Sequence, residues 1–206
     1  MAGPSLLPEP YFPFAVAAPS PVFPAALLAG CQRHEPAAQA ALYRHFAPRV
    51  LGICRRYARA GAQADDWLQE TFLRVFQRLD QFRGEGPFDA WVRRVAVTTC
   101  LDHYRAEAGR WRDQPLEAAG DLTTDAADAL AHLGQQELLR LIGRLPDGYR
   151  VVLNLYCIEG YSHKEIGQQL GIDEKTSSSQ LFKARRLLAE WVRRAALIAS
   201  PIDDFA

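Results

Sequence analysis

YSHKEIGQQLGIDEKTSSSQLFKARRLLAEWVRR, residues 161–194, reads as two helices joined by a tight turn. Ile166 and Leu170 stand four apart and share a face of the first helix. Gly171 ends it, because glycine enters the left-handed conformation that a helix terminus often needs. Ile172 can plug the corner between the helices, Ser162 can cap the first, and Asp173 can cap the second, with Thr176 three residues on. Leu181, Ala184, Leu187, Leu188, Trp191 and Val192 then recur at helical spacing.

The early turns of that second helix have a different chemistry. Lys175, Thr176, Ser177, Ser178, Ser179 and Gln180 are short or polar, and Phe182, Lys183, Arg185 and Arg186 follow. A helix entering a DNA major groove needs small polar side chains that let the backbone approach, then long cations for phosphates and base edges. The same composition also fits a solvated amphipathic hairpin, so the rest of the chain must decide.

With 206 residues the chain has room for one domain or two small ones. An apolar content of 49% and a charged content of 23% are those of an ordinary globular protein. The net charge is zero, but its distribution is uneven. Acids crowd Asp65 to Glu70 and Glu107 to Asp128, and cations crowd Lys183 to Arg194. A basic end suits nucleic acid, and an acidic patch suits a basic protein groove. The four cysteines have no paired spacing, which argues against a metal site or a disulfide framework. The five histidines form no ligand spacing, and a glycine-rich phosphate loop is missing, so no enzyme, metal or cofactor is expected. An apolar run of roughly twenty residues is also missing, so a cytoplasmic protein is expected.

In chain order, residues 1–24 form a Pro/Ala-rich leader expected to be disordered, though Tyr11, Phe12, Phe14 and Phe23 are conceivable docking groups. Residues 25–106 read as one helical domain. Pro36 interrupts its first helical pattern, the next runs from Ala40 to Ala60, and Gly61 to Ala64 is a break. In DDWLQETFLRVFQRL, Leu68, Phe72, Val75, Phe76 and Leu79 make the core face. Asp66, Gln69, Glu70 and Leu73 fall on the other side. A helix dipole explains acids near an N-terminus, but not an amide and an exposed leucine joining them.

FRGEGPF, Phe82 to Phe88, is a loop. Its aromatics and cation fit an unstacked base, and they also fit hydrophobic anchoring between helices, which is the role expected of Phe88. The next helix buries Trp91, Val92, Val95, Ala96 and Leu101 and carries Arg93, Arg94, Thr98, His103 and Arg105 elsewhere. Residues 107–134 lack an apolar period and read as a flexible acidic linker. Residues 135–195 form a second helical domain ending in the helix-turn-helix, and 196–206 are a tail. The fold class is all-α, with two small helical domains.

The order of DDWLQETFLRVF, FRGEGPFDAWV, a variable linker and LPDGYRVVLNLYCIEGYSHKEIGQQLGI resembles the extracytoplasmic-function group of bacterial sigma factors. Similarity to sigma region two covers about 27–105, and similarity to region four about 135–194. The resemblance implies that Asp66, Gln69, Glu70 and Leu73 bind the clamp coiled coil of core RNA polymerase. It implies that Phe82, Arg83, Gly84 and Phe88 pocket a flipped base of the minus-ten element, with Arg94, Thr98 and Thr99 lining the same strand. Lys175, Thr176, Ser178, Ser179, Phe182, Lys183, Arg185 and Arg186 would face the minus-thirty-five duplex. The flap region of polymerase, promoter DNA and an anti-sigma factor are further partners the resemblance implies. Thr98 stands where asparagine is common, and Ser177 where a bulky aliphatic is common. The expected function is that of an alternative sigma factor directing promoter-specific initiation. A stand-alone helix-turn-helix regulator is the competing reading, and it leaves the acidic face and the loop without a role.

Overall fold

Apolar residues three and four apart fix the inner face of each helix, while glycines and prolines set where one helix gives way to the next. The computed structural model describes residues 23–108 and 135–199. The first lobe holds α1 (Ala25–Gln32), α2 (Pro36–Tyr57), α3 (Gly61–Gln77), a 3-10 turn (Leu79–Gln81) and α4 (Phe88–Ala108). The second holds α5 (Gln135–Arg144), α6 (Asp147–Leu153), a π-helical turn (Asn154–Ile158), α7 (His163–Leu170) and α8 (Glu174–Ala199). No strand occurs among the described residues. The expected leader up to Val22 and nearly all of the expected linker (109–134) lie outside the described residues.

In the first lobe α2, α3 and α4 pack pairwise. Leu42, Phe46, Val50 and Cys54 of α2, Phe72 and Val75 of α3, and Val92, Ala96 and Cys100 of α4 form its buried centre. Pro36 opens α2 rather than interrupting it, because a first-turn position needs no N–H. Pro48 lies inside α2 on an exposed position, where water can take up the carbonyl it leaves without a helical donor.

Two expectations for this lobe are corrected. Gly61 to Ala64 is the first turn of α3, and the true break is Ala58 to Ala60, where Ala58 and Ala60 are extended. Phe23, assigned to the leader, is buried beside Phe46 and Phe88.

In the second lobe α6 and α7 both pack on α8. Ser162 and Glu165 form a reciprocal capping box at the start of α7. Gly171 ends that helix at φ 66°, in the left-handed region. Gly167 serves a tighter need: a Cβ there would lie 2.7 Å from the Ile172 carbonyl oxygen. The chain can therefore fold back into α8 only over a bare α-carbon. The apolar segment after Tyr149 is not one regular helix, since it widens into a π turn at the buried Asn154. The last helix also runs on to Ala199, into the expected tail.

The lobes meet at the C-terminal end of α2, whose last carbonyls lack helical donors. Asn154 Nδ2 donates to Arg56 O at 2.8 Å, and Arg150 Nη2 donates to Tyr57 O at 3.0 Å. Glu159, with a side chain only 4% exposed, lies 3.3 Å from Arg56 Nη2 and 2.7 Å from Arg93 Nε. Asp147 pairs with both Arg59 and Arg150. Arg105 of α4 donates to the Gln169 backbone oxygen at 2.8 Å.

Candidate functional site

Residues of α3 divide cleanly by face. Trp67, Leu68, Thr71, Phe72 and Val75 are buried, whereas Asp65, Asp66, Gln69 and Leu73 point to solvent. Leu73 is 61% exposed, an unusual position for leucine in the middle of a packed helix. Because α3 begins at Gly61, both aspartates lie beyond its first turn, which holds no acid. The dipole field decays over that turn, so it gives little reason for them.

Glu70 differs from its neighbours. It is half-buried, accepts from Arg74 Nη2 at 2.6 Å and lies 2.7 Å from His103 Nε2, whose ring stacks on Trp67 with centroids 4.8 Å apart. Burial works against its charge, but the His103 and Arg74 bonds outweigh that and hold its carboxyl below the usual value. Asp66 makes no ion pair among the described residues, so the face combines one anchored acid with an exposed one and a bare leucine.

The loop from Phe82 to Phe88 turns on Gly84 (φ 75°) and Gly86 (φ 129°), conformations that a side chain resists. Arg83 to Pro87 are all exposed. Phe82 is half-buried, edge-on to Phe88 at 5.0 Å and tilted against Trp91 at 5.8 Å. Phe88 is buried and stacks on Trp91, so it acts as the floor of the loop rather than as a free ring. An ion pair between Asp89 and Arg49 ties the start of α4 to α2. Arg94 is exposed and Thr98 half-exposed, one helical turn apart on α4. Thr99 must be removed from the strand-lining set: it is fully buried and its hydroxyl donates to Val95 O at 3.0 Å.

On α8, Lys175, Ser178, Ser179, Phe182, Lys183 and Arg185 are exposed and Thr176 half-exposed, with Phe182 at 55%. The aromatic at 182 therefore stands out from the helix beside a lysine and short hydroxyls. The Arg185 guanidinium lies 5.8 Å over the Tyr156 ring, which aims it along the helix surface. Arg186 is less available, because it is half-buried and its Nη2 is enclosed. Ser177 turns inward: it is fully buried, with its hydroxyl 2.9 Å from His163 Nδ1. A hydrogen bond thus joins α7 to α8 where an aliphatic contact was expected to be missing.

Sequence reading passed over four residues that set this geometry. Gly167 permits the turn, Arg150 and Asn154 cap α2 from the other lobe, and Glu159 bridges Arg56 and Arg93. Only Gly167 leaves a local signal, as a glycine inside a short amphipathic helix. The partners of the others lie 66 to 103 residues away in the chain.

The family descriptions "Sigma-70 region 2" and "Sigma-70, region 4" match residues 42–110 and 135–188, together more than half of the chain. The ECF RNA polymerase sigma-E factor of Escherichia coli (strain K12) is 27% identical over 157 residues, covering 71% of this chain and 80% of the relative. The RNA polymerase sigma-H factor of Pseudomonas aeruginosa matches to the same extent: 27% identity over 157 residues, 71% of this chain and 80% of that one. A solved structure of CnrH in complex with the cytosolic domain of CnrY aligns with 82% of this chain and 96% of that chain, at 24% identity and a TM-score of 0.45.

The chain belongs to the extracytoplasmic-function group of RNA polymerase sigma factors. It is an alternative sigma factor that directs transcription initiation, and such factors are as a class DNA-binding initiation subunits rather than enzymes. Among the described residues no helix is long and apolar enough to cross a membrane, and no cluster of three or more His, Cys, Asp or Glu is placed to hold a metal.

Proposed function

We propose that the exposed face of α3 docks on the clamp coiled coil of core RNA polymerase, that the loop 82–88 with Arg94 and Thr98 takes the opened minus-ten strand, and that α8 reads the minus-thirty-five duplex. The observation that carries this reading is the pairing of opposite chemistries on two lobes. Asp66, Gln69 and Leu73 offer an acidic, partly apolar face, and Ser178, Ser179, Phe182 and Lys183 a polar, basic one. The first suits a basic protein groove, and the second suits a polyanion. The protein acts in the cytoplasm without catalysing a reaction or carrying a cofactor. The family resemblance further implies restraint by an anti-sigma factor.

Distance adds a mechanical requirement. Two elements about 25 base pairs apart are separated by about 85 Å of duplex, whereas a folded body of this size is about 40 Å across. The lobes must therefore part at the α2–α6 contact to reach both elements.

Capture of an unstacked base offsets part of the few kcal/mol that unstacking costs. The test is permanganate reactivity of promoter thymines in complexes of core polymerase with the full chain. Phe82→Ala should lower reactivity near the start site while leaving duplex retention unchanged, and equal reactivity would remove the loop from strand opening.

A further inference from the structure

The loop 82–88 has little structure of its own, so its shape is set at its two ends, and both ends are held by the same N-terminal segment. At the downstream end Phe23 packs on Phe88, with ring centroids 5.9 Å apart. It also touches Phe46 at 5.6 Å and His45 at 5.4 Å, and is only 5% exposed. Phe88 in turn carries Trp91 at 5.5 Å and Phe82 at 5.0 Å, so the aromatic chain runs from Phe23 to the ring at the mouth of the loop. At the upstream end, α1, which begins two residues after Phe23, packs on the 3-10 turn Leu79–Gln81. Leu79 is buried, and its carbonyl accepts from the Phe82 amide at 3.1 Å. Phe23 lies outside the stretch matched to the family at 42–110.

We propose that Phe23 and α1 form a brace across both ends of the loop, and that Phe23 is a positioning residue for capture of the unstacked promoter base. The proposal rests on the reading of the loop as a base pocket. Phe23 acts through Phe88: with its ring in place, Phe88 packs against Phe23, Phe46, Phe82 and Trp91 together. Without it, Phe88 can rotate into the vacated space, and Phe82 loses the edge contact that holds it against Trp91. Arg83 to Pro87 then lose the fixed spacing of their ends. Small misplacements of this kind carry large kinetic effects, because a pocket assembled in advance spends nothing on ordering when the base arrives.

The experiment uses the full chain bound to core polymerase on a promoter fragment carrying 2-aminopurine at successive non-template positions of the minus-ten element. Fluorescence rises where the base unstacks. Phe23→Ala should lower that rise on the order of 10-fold, with polymerase affinity and retention of duplex DNA close to wild type when read well below a thermal midpoint that falls with the loss of a buried ring. Phe23→Leu, which keeps apolar volume but loses the ring edge, should give an intermediate loss and decides alone if the alanine variant does not fold. A wild-type rise in the leucine variant, or a fall that only tracks lost polymerase binding at a temperature where the variant is folded, would overturn the brace. Phe82→Ala separates the two readings. If it leaves fluorescence unchanged the base pocket itself is wrong, and if it lowers fluorescence while Phe23 variants do not, only the brace is wrong.

Discussion

Charge reversal on α3 should separate binding from folding, and two neighbouring acids should respond differently. Asp66 is exposed and makes no ion pair among the described residues, so Asp66→Lys should change unfolding free energy by no more than about 0.5 kcal/mol. Glu70 holds Arg74 at 2.6 Å and His103 at 2.7 Å. Its i,i+4 pair with Arg74 is worth about 0.3–0.5 kcal/mol on a helix surface, and the His103 bond adds a similar amount at this half-exposed position. Replacing both with repulsion should make Glu70→Lys cost about 1–2 kcal/mol of stability. Against a basic groove on polymerase, a like charge at either position should cost about 2 kcal/mol or more, roughly 30-fold in Kd. Urea unfolding measures the first quantity, and fluorescence anisotropy with labelled chain and core polymerase measures the second. The reasoning fails if Asp66→Lys destabilises the fold as much as Glu70→Lys, or if it binds polymerase with wild-type affinity.

Three more outcomes follow from the same contacts. The Glu70 carboxyl titrates below its unfolded value, so its stabilisation is complete above the ordinary carboxylate range and is lost as pH falls through the lowered folded value. The difference in thermal midpoint between wild type and Glu70→Gln should therefore be positive at pH 7, shrink as pH falls through the ordinary carboxylate range and vanish only below the lowered folded value. Lys183→Ala should reduce the slope of log affinity against log salt for minus-thirty-five duplex by about 0.9 if Lys183 meets one phosphate, and an unchanged slope would exclude that contact. Glu159→Gln takes the charge from a carboxylate shared by Arg56 and Arg93. Since Arg93 is partly solvated, docking of the lobes should weaken by about 2 kcal/mol, seen as a larger radius of gyration in solution scattering.

The helices and the turn of the helix-turn-helix were legible in the sequence because their causes are local. Gly171, Ser162 and the repeat from Leu181 to Val192 act within a few residues of themselves. The buried face of α3 was legible for the same reason, and so was the anchoring role of Phe88. Thr99 was misplaced because a threonine whose hydroxyl bonds back to its own helix looks, in sequence, like one offered to DNA. The start of α3 was misplaced because Gly61 and Ala62 carry no capping signal, and the first turn is tied instead by Gln63, which accepts from the Arg59 amide at 2.9 Å and donates to Glu107 at 3.0 Å. Phe23 was hidden by its setting among prolines and alanines, although its ring has three aromatic neighbours from α2 and α4. The capping of α2 by Arg150 and Asn154 could not be read at all, since it joins groups more than 90 residues apart.

Run-off transcription tests the central claim most directly. Core RNA polymerase, freed of other sigma factors, is mixed with the purified chain and fragments of the source genome, and transcripts are mapped at their 5′ ends. The account predicts discrete start sites that appear only with the chain present and that vanish with Asp66→Lys, although that variant stays folded. A folded wild-type chain that binds polymerase yet yields no start site on any fragment would contradict it.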